Sequence, residues 1–440
     1  ILRYSIVPAL ALAVLIGAAE APYAQEAVAG NETGVGARAM GMGEAQIGAV
    51  NDVTAVIHNP AALARLKNIE VQLGLDLWKR RIDTRLRSAR GNGDASANTD
   101  FSGLGTLGVA YPVPTKQGSL VLAASYNRAK DFTGRFKAEG YSDILRGNFS
   151  GESIEEGGLG VFSFAGAVDI SPNVSVGASL DFWSGNYRRD NRQLLNDPSE
   201  SYSQLDMNGV DDDITAVSFK PAFLFFKDNV RAGGYVRLPM TFHISERNYD
   251  EGYVREDGAY FRLYELIDPS SAFNDVNFAD RMKYRVKAPM QLGLGIALGG
   301  PGKTMLAFDV NYENWKQAKI EYPSDYTQEP NYFLDKYRPA LAWKIGVEQP
   351  LPFINSAVRA GYMRHPLTFK GPRGYEDGAP PVVVTNERDF LTLGLGTRFD
   401  QSFGLDIGYA RGFWSSDEEP RTDKENRNSV FLAVTYRVPK

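Results

Sequence analysis

Few residues in this chain have the types and spacing that chemistry needs. Gly302-Lys303-Thr304 has the ending of a phosphate-binding loop, in which backbone N–H groups cradle phosphates. That loop needs a glycine five positions before Gly302, and Ala297 stands there. The tripeptide also joins two alternating stretches, with no helix after it to receive an anion at its N-terminus, so it reads as a turn. His58, His243 and His365 are dispersed and lack metal-ligand spacing. His58 precedes Asn59-Pro60, where a structural hydrogen bond is the simpler role. Asp211-Asp212-Asp213 has the charge to hold a divalent cation, but reads as a solvated loop. There is no cysteine, which excludes disulfides and thiolate sites. No Ser/His/carboxylate set assembles. The expectation is a protein that is not an enzyme and uses no metal or cofactor.

The composition points to strands. Of 440 residues, 22 are Tyr, 24 Phe and 44 Gly, a mixture suited to strands and tight turns. Net charge is −5 and no basic stripe stands out, so nucleic acid is not an expected partner. Mean hydropathy is −0.29, too polar for a bundle of transmembrane helices. A membrane barrel tolerates this polarity, because only every second residue meets lipid.

Residues 1–19, ILRYSIVPALALAVLIGAA, carry Arg3 and then an apolar run shorter than the ~20 residues a spanning helix needs. With the small residues that follow, residues 1–29 read as an export signal, cleaved after Ala24 or Ala29.

After the signal, period-2 alternation dominates. In 289–298, Met290, Leu292, Leu294, Ile296 and Leu298 oppose Gln291, Gly293, Gly295 and Ala297. In 390–399, Leu391, Leu393, Leu395 and Phe399 oppose Thr392, Gly394, Gly396 and Arg398. One apolar face and one small or polar face suits either a soluble sandwich or a membrane barrel. The connections decide between them. Strands are predicted near 69–86, 103–113, 118–136, 158–170, 173–189, 212–227, 229–248, 281–299, 303–321, 336–349, 355–369, 387–399, 402–414 and 427–438. Short links (SPN, DN, GPG, DQ) alternate with long polar ones such as 88–100 and 415–426. Short turns on one rim and long loops on the other is the pattern of an outer-membrane barrel. The prediction is all-β: a 14-stranded antiparallel transmembrane β-barrel over 67–440. Trp78, Trp183, Trp315, Trp414, Tyr111 and Tyr436 lie toward strand ends, where interfacial girdles would put them. The longest connection contains AYFRLYELIDP (259–269), readable as an amphipathic helix or as two short strands. Its Tyr260 and Leu263 make it a candidate capture surface for an apolar ligand.

Residues 30–66 are not strand-like. They are rich in glycine and alanine and end in Asn59-Pro60-Ala61-Ala62-Leu63-Ala64-Arg65-Leu66. Since the wall is complete without them, they are expected to form a small, partly helical plug inside the lumen. Gly34, Gly36, Met40, Met42, Asn59, Pro60 and Ala61 are its candidate gate residues. Asn59-Pro60-Ala61 either moves or merely anchors the plug as a structural turn.

This arrangement resembles the FadL-like family of outer-membrane transporters for long-chain fatty acids and other hydrophobic compounds. Asn59-Pro60-Ala61 is similar to the family's NPA signature. FDVNYENWKQ (308–317), YRPALAWKIGVEQPL (337–351), VRAGYMRHP (358–366) and 390–413 are similar in kind to its late strands. The resemblance implies a 14-stranded barrel plugged by an N-terminal hatch and passive uptake of apolar molecules at the outer membrane of a Gram-negative bacterium. The hatch gates the passage, and release is sideways through a gap in the wall. It implies fatty acids or hydrocarbons as cargo, contact with membrane lipid and lipopolysaccharide, and a monomer. Arg128, Lys220, Arg237, Lys344 and Arg398 are candidates to meet a ligand carboxylate. Related barrels serve secretion or surface-attachment machinery, which is the alternative function.

Overall fold

The computed structural model of the chain describes residues 28–29, 34–88, 91–116, 118–142, 147–197, 202–256, 259–262, 281–324, 328, 330–369, 387–418 and 421–439. They form a closed antiparallel barrel of 14 wall strands. The first six are Glu70–Ser88, Gly91–Val113, Leu120–Asp131 continued by Gly134–Ser142, Gly147–Ser171, Val174–Asp197 and Tyr202–Lys227. The seventh is Val230–Arg237 with Met240–Glu256, and the eighth Ala259–Arg262, Met282–Ala288 and Gln291–Gly299. The ninth is Met305–Asn314 with Lys319–Glu321. Pro339–Leu351, Ser356–Pro366, Glu387–Arg398, Phe403–Glu418 and Arg421–Arg437 complete the wall. The last strand pairs with the first from Glu70↔Arg437 to Leu86↔Arg421, so no edge is left.

The apolar faces look outward. Leu73, Leu107, Leu122, Phe164, Phe219, Leu294, Leu341 and Leu393 are exposed, while their strand neighbours are buried inside. A belt of this kind is stable only against lipid. No helix among the described residues is long and apolar enough to cross a membrane.

Several strands run farther than expected. Residues 91–102, 147–157, 202–211 and 421–426 are ladder, not loop. Above the membrane both strand faces meet water, so the apolar alternation that marks a strand disappears while the backbone pairing continues. Residues 259–262 are also strand, which rules out a helix there, and 263–280 lie outside the described residues. Pro301–Lys303 is a single 3-10 turn at the short-turn rim, with Gly302 at φ 65°, not an anion cradle.

The tryptophan girdle is a correction. Trp78, Trp183 and Trp315 are buried on the inner face, and Trp414 shares it, packed on Phe390. Tyr111 and Tyr436 do face outward at the short-turn rim. The sequence position of a tryptophan reports height along a strand, and strand parity decides which solvent it meets.

Residues 34–66 fill the lower lumen. They comprise the helix Ala37–Gly41, a turn over 42–49, the short helix Ala55–His58 and the 3-10 turn Pro60–Arg65. The inward glycines of the wall make room for them. A Cβ on Gly361 would stand 2.3 Å from Gly43 N, one on Gly346 2.1 Å from Met42 O, and one on Gly408 2.5 Å from Ala37 O. Hatch backbone therefore lies directly on wall backbone. We predict that Gly361→Val expels the hatch but leaves the barrel closed. The band should still shift on heating before electrophoresis, while residues 34–66 become cleavable by protease. A hatch that stays protected in this variant contradicts the contact.

Candidate functional site

Ionic and hydrogen-bonded anchors reinforce this contact. Glu348 accepts from Arg38 Nε of the hatch at 3.0 Å and from Arg359 Nε at 2.6 Å, and Arg359 Nη1 continues to Asp406 at 2.7 Å. Asp309 Oδ2 accepts the Gln46 and Ile47 N–H groups at 2.6 and 2.8 Å. Glu70 accepts the Val53 N–H at 2.8 Å and pairs with Arg437 at 2.8 Å. Inside a low-dielectric lumen such groups are held only when their charges and lone pairs are met.

Glu44 is the centre of a second anchor. It takes the Gly34 N–H and the Lys344 ammonium, the latter at 3.1 Å. Burial opposes its ionisation, but Lys344, neighbouring His365 and the Gly34 N–H outweigh burial and hold the carboxyl at about 2. His58 lies nearby, its Nε2 3.1 Å from Val35 O. Burial, helped by the Lys344 charge, outweighs the pull of Glu44 and depresses His58 from 6.5 to about 4, so the ring is neutral at pH 7. A polar cavity of about 50 Å³ lies between these groups, Asp309, Arg237 and His365. That is room for a few waters and far too little for an apolar cargo.

The expected gate residues all lie in this contact. Gly34 and Gly36 have φ of 92° and 87°, which side-chain-bearing residues rarely adopt. Met40 packs with Met363, Phe390 and Phe431, and Met42 with Ala297 and Ala307. Asn59 is fully buried. Its Nδ2 donates to Ile47 O and to Phe223 O of the wall, and its Oδ1 accepts the Ala61 N–H at 3.1 Å. Pro60 opens the 3-10 turn, its fixed φ fitting the first helical position. Ala61 rests on Gly177, with 2.8 Å from its Cα to where a Cβ would be. Asn59-Pro60-Ala61 thus caps a turn and ties it to the sixth strand.

Above the hatch the lumen changes character. Trp183, Tyr187, Phe242, Tyr284, Trp315 and Tyr337 converge from the fifth to tenth strands with Val210, Ile214, Ile244 and Val286. The short helix Tyr332–Lys336 drops Phe333 among them, 4.8 Å from Tyr337 and 5.9 Å from Trp315 between ring centres. Val28 is buried in the same cluster, and Lys130 donates to the Val28 and Ala29 carbonyls. The opposite side of the lumen is polar, with Arg80 paired to Glu425 at 2.8 Å and Arg427 stacked on Trp78.

The expected ligand cations are already engaged. Arg128 pairs with Asp131 at 2.8 Å and lies over the Phe101 ring. Lys220 donates to Ile57 O, Arg237 lies 5.0 Å over Trp183, and Lys344 holds Glu44. Arg398 is exposed at the short-turn rim, outside the enclosed lumen. Tyr260 lies on a strand whose side chains are outside the described residues, as is Leu263. The candidate cations do not meet in one pocket. Sequence reading missed Arg38, Glu44, Asp309, Glu348 and Arg359. For the wall residues Asp309, Glu348 and Arg359 the available signal was a charge on the inward side of an alternating strand.

Lys344→Met should leave Glu44 buried without its cation and cost the docked hatch about 3–5 kcal/mol, read as earlier chemical unfolding and new conductance in planar bilayers. The pH dependence follows from signs. An acid depressed in the folded state stabilises above its ordinary value, so the Glu44 contribution is intact at neutral pH and is lost only as pH falls from 4.5 toward about 2. A depressed histidine is protonated first in the undocked chain, so His58 weakens docking as pH drops from 6.5 toward about 4. His58→Gln should reduce the upper of these two limbs in a conductance–pH profile, the remainder belonging to His365 in the same cavity; an unchanged upper limb contradicts the assignment.

No family model matches the chain, and no curated protein matches it in sequence. Solved structures do match in fold. A FadL homologue from Pseudomonas aeruginosa shares 14% identity over 93% of this chain and 99% of its own, with a TM-score of 0.62. The CymD monoaromatic hydrocarbon channel shares 15% over 94% and 100%, at 0.56. The Pseudomonas putida toluene transporter TodX shares 14% over 92% and 98%, at 0.56. The chain has the barrel fold of these proteins.

Proposed function

We propose that the chain is a member of the FadL-like group and acts as a passive outer-membrane channel for hydrophobic small molecules in a Gram-negative bacterium. The observation that carries this reading is the buried aromatic cluster above a sealed floor. A closed barrel has no need to gather Trp183, Phe242, Tyr284 and Trp315 on its inner face, because its lipid belt supplies the burial elsewhere. Inward aromatics give an apolar solute a foothold away from water and lipopolysaccharide. The hatch blocks the straight route, so passage to the periplasm waits on its release from Glu348, Asp309 and Lys344. No energy source is needed. Transfer down a gradient uses the affinity of the cargo for the cluster and for the compartment beyond. The names of the structural neighbours, a FadL homologue and channels for toluene and monoaromatic hydrocarbons, support the same class of cargo. The chain is expected to work as a monomer. The aromatic upper lumen also favours this reading over a shuttle for secretion or attachment machinery, which would not need it.

Uptake of labelled fatty acid and of labelled toluene or alkane, by cells with and without the gene, tests the proposal. Uptake of at least one should depend on the gene; equal uptake of every apolar substrate sinks it. Phe242→Asp places a charge in the cluster and should lower that uptake about tenfold or more while the heat shift is retained, since desolvating an unpaired carboxylate costs more than the ~1.4 kcal/mol that a factor of ten represents.

A further inference from the structure

Residues 1–29 read as an export signal with two candidate ends, Ala24 and Ala29. Pattern alone favours the second. Ala27-Val28-Ala29 has small residues at both positions that a signal peptidase reads, whereas Pro22-Tyr23-Ala24 has one. Distance favours the first, since Ala24 stands five residues beyond Ala19, where the apolar run ends, and Ala29 stands ten. The folded barrel supplies a third criterion. A leader is removed at the inner membrane, before a barrel closes in the outer one. A segment that packs into the closed barrel has therefore survived the cut.

Val28 packs in that way. It is 1% exposed, within the upper-lumen cluster that also holds Ala129, Leu159 and Val161, and Ala29 packs against the same cluster. The backbone is held as well. Lys130 Nζ donates to Val28 O at 2.5 Å and to Ala29 O at 3.0 Å. Lys130 leaves the third strand at a bulge, where the register with the fourth shifts between Arg128 and Lys130. A bulge of this kind re-aims a side chain out of strict alternation. Two carbonyls on one ammonium make charge-assisted hydrogen bonds, the stronger class. A cut after Ala29 would take both acceptors from a part-buried cation and the valine from the cluster. The first leaves an ammonium with fewer partners and the second leaves a void, and both cost stability.

We propose that the leader is cut after Ala24, so that the mature chain begins at Gln25 and keeps residues 25–29 as an arm, whose Val28-Ala29 end Lys130 clamps in the upper lumen. Lys130 is thus a positioning residue for the protein's own chain. The proposal does not depend on what the channel carries.

Tryptic digestion of the full-length protein, taken from outer membranes, with mass spectrometry reads the new end directly. Arg38 is the first basic residue after Arg3, so the N-terminal peptide of the mature chain runs to it. The expected peptide is QEAVAGNETGVGAR (25–38), with or without cyclisation of its terminal glutamine. GNETGVGAR (30–38), or any other start, overturns the proposal. Val28→Asp separates the two cuts in a second way, because residue 28 belongs to the mature protein only when the cut follows Ala24. The mature variant should carry the aspartate and unfold ~5 °C or more below the native protein, since the cluster must take up an unpaired charge. A mature variant identical in mass to the native protein overturns the cut, and one that carries Asp yet unfolds at the native temperature overturns the clamped arm. Where the variant does not reach the membrane, the peptide masses of the native protein decide. A failed cut leaves the channel reading untouched, and absent uptake leaves the cut untouched.

Discussion

A polypeptide crossing hydrocarbon must satisfy its own backbone, and in a sheet that requires closure. The pairing of Glu70–Ser88 with Arg421–Arg437 is the contact on which everything else here depends. Closure turns the apolar strand faces outward and leaves a lumen too wide for 14 strands' side chains to fill. The chain fills the lower part with its own residues 34–66. Glycines on both surfaces bring backbone onto backbone, and buried charges are satisfied across the contact by Glu348, Asp309 and Lys344. The upper part it lines with aromatic side chains. Floor and cluster are two solutions to one problem, the interior of a wide barrel, and the second solution is the one that suits a cargo.

The hatch contact is built for holding. A single glycine-sized clearance at Gly346, Gly361 and Gly408 leaves no slack for sliding, so release of the floor is a concerted event.

Much of this was legible in sequence, and the failures have physical causes. The strand count, the loop sorting and the inward glycines of 289–298 and 390–399 followed from period-2 alternation. The glycine faces were read as merely small, and only the docked hatch shows what they are for. Strand extensions such as 91–102 escaped because alternation needs an apolar side, which is missing above the membrane. Trp78, Trp183 and Trp315 were assigned to interfacial girdles from their heights, whereas one residue of parity sends a side chain to the opposite face. Parity inversions at Leu238-Pro239 and Pro289-Met290 are invisible to a periodicity that assumes unbroken strands. Sequence could not show that Arg128, Lys220, Arg237 and Lys344 are already engaged by Asp131, Ile57 O, Trp183 and Glu44.

Uptake of this kind requires apolar molecules in the upper lumen. Crystals of the protein grown or soaked with a brominated alkane or bromobenzene would locate them by the anomalous scattering of bromine. Peaks are expected above the hatch among Trp183, Phe242, Tyr284 and Trp315. Bromine found only along the outer lipid belt, with the lumen occupied by water, would contradict it.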